Sequence, residues 1–338
     1  MSIQVRMKRI GRHLKSPQSW ARLWSHVTAY PRRVMISNRL KRQKTRRSAQ
    51  KYNDTPIVAG ILQHFNKAHN IPMLWSGLQA ARFDELIVMD DGSVDGSANR
   101  WQKLLTSPNQ FLIRSNDLFE VITYDRALRY SRADIVCLLQ DDDKLPQDRR
   151  WVDRALDLFK EFPDLVILGG FRGADVLPRE NVAVAAEMAM EFEGDVEGVR
   201  GLFRHRTFRS PAEVSPAGRS DFAFVMSVVR APVFVRREAF IELGGFDLDF
   251  APFLCDDVDN CLRAWRAGLQ VGLYDVDFQR DIGLGGMRAF NSKRMAEQVR
   301  INWEKIYRKH GSVIASREVA AKVDAANAKI GSRVAGKP

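Results

Sequence analysis

The chain has 338 residues, 45% of them hydrophobic and 9% aromatic, an ordinary globular composition at a size that buries enough surface to fold without disulfides. Its three cysteines, Cys137, Cys255 and Cys261, form no CxxC pair and no Cys/His cluster, which argues against zinc and reads as reduced core residues of a cytosolic protein. The net charge of +12 sits in residues 1–50, which hold fourteen Lys or Arg and no Asp or Glu and so leave the other 288 residues at −2; no stretch reaches the ~18 apolar residues of a spanning helix, and no apolar core of signal-peptide length follows the start.

The basic arm has helical periodicity. Ile3, Met7, Ile10 and Leu14 share one face, and Trp20, Leu23, Trp24 and Val27 cluster after Pro17. A basic amphipathic helix with tryptophans suits an anionic membrane surface, where each Lys or Arg contributes about 1 kcal/mol. A solvated arm, a nucleic-acid patch and an organellar transit peptide are the other readings; no nucleic-acid partner is expected. This places the protein in the cytoplasm, peripheral on the cytoplasmic face of a membrane if the arm binds there.

From Tyr52 onward strands alternate with helices. Pro56 to Leu62 reads as a strand. Asn70 caps a helix whose Ile71, Leu74, Trp75 and Leu78 recur at helical spacing. Glu85 to Met89 is a second strand, Trp101, Leu104 and Leu105 mark a helix, and Phe111 to Ile113 is a third strand. A helix around Val121 to Tyr130 and a strand at Ile135 to Leu139 follow. This order predicts βαβ units and a mostly parallel sheet, with ligands at the carboxyl ends of its strands. Residues 172 to 220 read as long loops and short elements. Pattern resumes at Phe222 to Val229 and Val233 to Arg236. A helix from Cys255 to Ala267 ends at Gly268, and residues 294 to 309 look helical.

Three acidic groups carry the chemistry. Asp90-Asp91-Gly92-Ser93 sits where a strand meets a turn, with Asp95, Gly96 and Ser97 opening the next helix; an ordinary Asp/Gly turn is the competing reading. Gln140-Asp141-Asp142-Asp143 follows a wholly apolar strand. Three adjacent carboxylates repel one another, so they imply a cation, and oxygen-only ligands favour Mg²⁺ or Mn²⁺; a solvated acidic loop is the alternative. Asp256, Asp257 and Asp259 open the late helix. Helical geometry puts Asp257 and Asp259 beside the core-facing stripe of Val258, Cys261, Leu262 and Trp265, and points Asp256 away. Complementing the helix dipole explains one of these carboxylates. A general base at the edge of a pocket explains another, and periodicity does not choose between Asp257 and Asp259.

Together these sites resemble the inverting family 2 glycosyltransferases, which have the GT-A fold. The resemblance rests on Phe65-Asn66, Asp90 to Ser97, Gln140 to Asp143, Arg236-Arg237 with Gly244-Gly245-Phe246-Asp247, and Asp256-Asp257 with Arg263. It covers roughly residues 55 to 290. It implies a GT-A-like, mostly parallel (mixed) α/β sheet flanked by helices in a single catalytic domain: an arm over 1–51, the domain over 52–310, and a helical or flexible tail over 311–338. It implies a nucleotide-sugar donor, bound by Gln63, Phe65, Asn66, Asp91 at the base, Arg126 and Asp141. It implies Mn²⁺ or Mg²⁺ on Asp142 and Asp143, with Asp141 an alternative partner to Asp142. Asp257 would be the catalytic base, and Asp256 and Arg263 acceptor-site candidates. The acceptor would be a hydroxyl, of a lipid-linked or cell-envelope glycan if the arm binds membranes.

The sequence departs from the family in three places. Gln140 stands where the metal motif often begins, Tyr124-Asp125 replaces Arg-Asn before Arg126, and no histidine lies between His205 and His310, leaving Asp277 or Asp281 as substitutes. Gly283 to Gly286 reads as a closing loop over the donor or a plain flexible one. A nucleotidyltransferase is the rival enzyme, although the stretch Gln63 to Lys67 lacks the glycines it would need. A sugar-nucleotide-binding protein without catalysis is the rival non-enzyme.

Overall fold

Val58–His64 (β1), Glu85–Asp90 (β2) and Ile135–Leu139 (β4) are buried along almost their whole length, as parallel strands covered on both faces must be. In this computed structural model they form the middle of an eight-stranded sheet with Gln110–Arg114 (β3), Leu165–Gly169 (β5), Phe222–Phe224 (β8), Val233–Arg236 (β10) and Gln270–Tyr274 (β11). The order is β3-β2-β1-β4-β10-β5-β11-β8. Only β10 and β8 run antiparallel to the rest. A second, three-stranded sheet joins Arg172–Pro178 (β6) to Phe203–Phe208 (β7) and Ser227–Val229 (β9). The described residues are 57–178, 203–208, 210–214, 219–230, 232–278 and 292–335. The chain divides into two units, Met1–Thr55 and Pro56–Pro338. The basic arm, the segment Gly283 to Gly286 and Asp281 lie outside the described residues.

The helices are Ile71–Ala81 (α1), Ser97–Leu104 (α2), Phe119–Tyr130 (α3), Arg150–Glu161 (α4), Pro211–Val214 (α5), Arg237–Glu242 (α6), Asp256–Arg266 (α7), Ser292–Ala315 (α8) and Glu318–Ala335 (α9). The expected mixed, mostly parallel sheet flanked by helices is present. Gly268, at φ +81°, follows the last turn of α7 in the left-handed conformation expected of it. All three cysteines are free and buried.

The structure refines the reading at four places. The region 172 to 220, read as long loops and short elements, contains β6 and β7, whose pairing is supplied by distant residues rather than by local periodicity. The regular pattern at Phe222 to Val229 divides into two strands in two sheets. Asn70 does not cap α1 through its side chain, because its Nδ2 donates to the Asp141 carbonyl instead, at 2.9 Å. The expected boundary at residue 310 falls inside α8, and Val319, Val323 and Ile330 of α9 are core residues. No helix among the described residues is long and apolar enough to cross a membrane.

The loop before α7 is strained and held. Leu254 and Cys255 have φ of +76° and +66°, a region costly for residues with a side chain. Asn302 of α8 is fully buried and donates its Nδ2 to the carbonyls of Phe250, Phe253 and Leu254. Replacing Asn302 with Ala should therefore cost about 2–3 kcal/mol by leaving buried acceptors unmatched, read as a lower denaturant midpoint with an unchanged m-value.

Candidate active site

The ends of β1 and β2 are tied into one frame. His64 pairs in register with Asp90. Asn66, at φ +52°, donates its amide to Ser93 Oγ at 2.9 Å and accepts from the Val94 amide on Oδ1 at 2.8 Å. Asp95 accepts from the Ala68 amide at 2.7 Å and from Ser97, opening α2. Gly92, at φ +87°, has Asn116 where a side chain would begin. Thus Gly92 and Ser93 of the Asp-Asp-Gly-Ser segment, and Asp95 after it, are framework. Asp91 is fully buried, and its oxygens accept from Ser115 Oγ and the amides of Leu118 and Phe119 at 2.8–3.0 Å. It anchors the turn into α3. Gln63 is half-buried on β1 opposite Met89.

The acidic turn after β4 is built against β1. The Phe65 amide donates to Asp141 Oδ2 at 2.7 Å. Lys67, only 4% exposed, places Nζ 3.0 Å from Asp141 Oδ1 and 3.4 Å from Asp142 Oδ2. Asp143 is fully buried and accepts from the Gln140 amide at 2.7 Å. Burial pushes the Asp141 carboxyl up to about 6, against the pull of Lys67 and the Phe65 amide. Burial likewise lowers His64 to about 4, so its ring is neutral near pH 7. The His64 Nδ1 is 4.0 Å from Asp141.

The acid trio of α7 separates into three fates. Asp256 is 1% exposed and in direct contact with Arg230 Nη2. Burial raises its carboxyl and Arg230 pulls it back. Asp259 is fully buried and bonds Arg263 Nε, Lys309 Nζ and His310 Nε2 at 2.7–2.8 Å. Burial would raise this carboxyl too, but His310, Arg263 and Lys309 outweigh it and hold it at about 2. Asp257 is half-buried, bonds the Val258 amide, and pairs with no cation among the described residues. It borders a void of only about 20 Å³ in the apolar core, lined mainly by Leu138, Ile167, Val228, Val235, Phe240 and Phe246. The expectation that Asp256 points away is corrected: a long-range partner on the segment after β9, not the helical stripe, sets its direction.

Two predicted residues stand apart. Arg126 is exposed on α3, roughly 200° around the helix from Tyr124, which is buried with its hydroxyl donating to the Leu139 carbonyl at 2.6 Å. The structure does not bring Arg126 to the acidic turn. Arg263 spends its donors on Asp259, Asn260 and the carbonyls of Leu243 and Gly245. It fastens the Gly-Gly-Phe-Asp turn to α7. Asp277 is exposed and His310 is buried against Asp259.

Sequence reasoning missed Lys67 and Arg230. Arg230 is 6% exposed, its guanidinium 4.8 Å from the Tyr124 ring centre and 5.6 Å from that of Phe246. Glu120 bonds both Arg230 Nη1, at 3.3 Å, and Gln140 Nε2, at 2.9 Å. A hydrogen-bonded path therefore runs from the acidic turn to α7. A lysine one residue past the aromatic-Asn pair was the available signal for Lys67; nothing local marks Arg230.

The acidic turn suits a cation by its donor set, and the Lys67 ammonium already stands between two of its carboxylates. Among the described residues no three Asp, Glu, His or Cys side chains converge as a metal cage. A divalent ion on one or two carboxylates and substrate phosphates needs no such cage, so Asp142 and Asp143 fit it as the protein's share.

Residues 61–211 match the sequence model of glycosyl transferase family 2. No curated protein matches the chain. Among solved structures, S. aureus TarS 1–349 aligns at a TM-score of 0.43 with 14% identity, over 64% of this chain and 58% of that one. This chain thus covers little over half of that fragment. A mycobacterial protein aligns at 0.46 with 13% identity, over 73% of each chain. Glucosyl-3-phosphoglycerate synthase from Mycobacterium tuberculosis, in complex with Mn²⁺, uridine diphosphate and glucosyl-3-phosphoglycerate, aligns at 0.29 with 18% identity, over 34% and 44%.

The Asp259 cluster has a pH signature. Its folded value of about 2 lies below the ordinary 3.8, so the folded state gains stability above pH 3.8 and loses it as pH falls through about 2. The shift corresponds to roughly 2 kcal/mol at neutral pH. An Asp259→Asn variant should be less stable by that order near pH 7, and its difference from wild type should shrink to nothing near pH 2, as followed by urea unfolding across pH.

Proposed function

We propose that this chain, whose residues 61–211 match the family 2 glycosyl transferase model, transfers a sugar from a nucleoside-diphosphate sugar to a hydroxyl with inversion, using Asp257 as general base. The observation that carries this reading is the contrast within α7. Asp256 and Asp259 are locked in buried ion pairs, while Asp257 is half-buried and pairs with no cation among the described residues. In the proposed step the acceptor oxygen bonds the anomeric carbon and its proton passes to Asp257. The bond from that carbon to the diphosphate breaks, and the electron pair leaves with the diphosphate.

The donor would lie across the carboxyl ends of β1, β2 and β4, where Gln63, Phe65, Asn66 and Asp141 gather. The oxygens of Asp91 are already engaged, so its part in base recognition runs through the turn it anchors. Mn²⁺ or Mg²⁺ at Asp142 and Asp143 would supply charge neutralisation for the departing diphosphate. The nucleotidyltransferase reading loses support because Gln63 to Lys67 contains no glycine for a phosphate loop and Lys67 faces carboxylates.

Asp257→Asn should leave the midpoint of thermal unfolding unchanged while lowering transfer from a nucleotide sugar by about 10²–10⁴. Undiminished turnover in that variant would remove Asp257 from the mechanism.

We read the basic arm as an anchor to anionic lipid, which would place a lipid-linked or envelope glycan among the acceptors. Its fourteen basic residues support this. Full-length protein should pellet with anionic liposomes and lose this when the first 50 residues are deleted; equal pelleting of the two would dismiss the anchor.

A further inference from the structure

Lys67 has no role in the reading above, yet it is among the most constrained side chains of the site. It is 4% exposed and its Nζ reaches Asp141 and Asp142, which are each 7% exposed. Its backbone has no freedom to drift. Asn66 and Ala68, on either side, are bonded to Ser93 and Asp95, and Asn70 holds the Asp141 carbonyl. The acidic turn therefore carries its own cation. Two carboxylates, those of Asp141 and Asp142, thus face one ammonium, and a divalent cation entering beside Lys67 meets a like charge at close range.

We propose that Lys67 is a built-in counter-ion. It holds the cation position between Asp141 and Asp142 while no nucleotide is bound, and it passes to the diphosphate when the donor arrives. Repulsion between neighbouring charges at this separation is large in a partly buried site. The turn is thus closed to a divalent ion until phosphate oxygens draw the ammonium away. Cation and donor then favour each other's binding, as any such coupling must be reciprocal. Lys67 becomes a diphosphate ligand as well as a placeholder, and this second half rests on the donor reading given above.

The decisive comparison contains no nucleotide, so it stands whether or not the donor reading does. Thermal unfolding of the full chain is followed during titration with MnCl₂, because a ligand specific to the folded state raises the midpoint. Wild type should be unaffected. Lys67→Met should be stabilised by Mn²⁺ and take it up at least about tenfold more tightly than wild type, and Lys67→Met combined with Asp142→Asn should lose that response. Equal Mn²⁺ uptake by wild type and Lys67→Met overturns the proposal. Should Lys67→Met not fold, wild type decides: stabilisation by Mn²⁺ without nucleotide overturns the proposal, and its absence, with Lys67→Arg behaving alike, upholds it. The donor reading fails separately, if no nucleotide sugar is consumed by the wild-type enzyme.

Discussion

Seven carboxylates of this domain are almost completely buried in its acidic segments: Asp90, Asp91, Asp141, Asp142, Asp143, Asp256 and Asp259. A buried charge without a partner is among the most expensive things a fold can contain, so each must be matched. The Ser93 amide serves Asp90, a hydroxyl and two amides serve Asp91, and the Gln140 amide serves Asp143. Arg230 serves Asp256, and Arg263, Lys309 and the His310 ring serve Asp259. The remaining geometry follows from this matching. The turns after β1, β2 and β4 take their shapes from amides aimed at carboxylates, and α8 is placed so that Lys309 and His310 reach α7. What is left over is informative: Asp142 has only the Lys67 ammonium, and Asp257 has no cation at all among the described residues. Those are the two carboxylates to which the proposed reaction gives the metal and the proton.

The alternation of apolar strands and amphipathic helices made the parallel part of the sheet readable, because β1, β2 and β4 are buried on both faces and β3 pairs beside them. The order of the acidic segments made the resemblance to family 2 glycosyltransferases readable, and residues 61–211 match that family's model. The partners of the acids were not readable. Lys67 lies 74 residues from Asp141 by number in the chain and Arg230 lies 26 from Asp256, and no periodicity reports which distant side chain will meet which. The same limit explains the misdirected Asp256. Helical phase gives a direction relative to the helix's own apolar stripe, but the first turn of α7 is also faced by Arg230. β6 and β7 were readable only as short elements for a kindred reason: an antiparallel pair closed by residues from a distant segment has no local signature beyond weak alternation.

Arg230 carries the argument one step further. Its stacking on Tyr124 and Phe246, and its bonds to Glu120 and Asp256, fix it between α3, the Gly-Gly-Phe-Asp turn and α7. Glu120 in turn holds the side chain of Gln140 at the head of the acidic turn. A buried pair of this kind contributes little net stability, since desolvation offsets most of the attraction. Its larger effect is positional. It leaves α7 one acceptable placement relative to the turn after β4, because any other would leave an uncompensated buried charge. Asp257 is the residue next to Asp256, so its carboxylate inherits that placement. The separation of the acidic turn from Asp257 is thereby set by the path Gln140–Glu120–Arg230–Asp256, and the proposed single displacement would demand that positional precision of its scaffold.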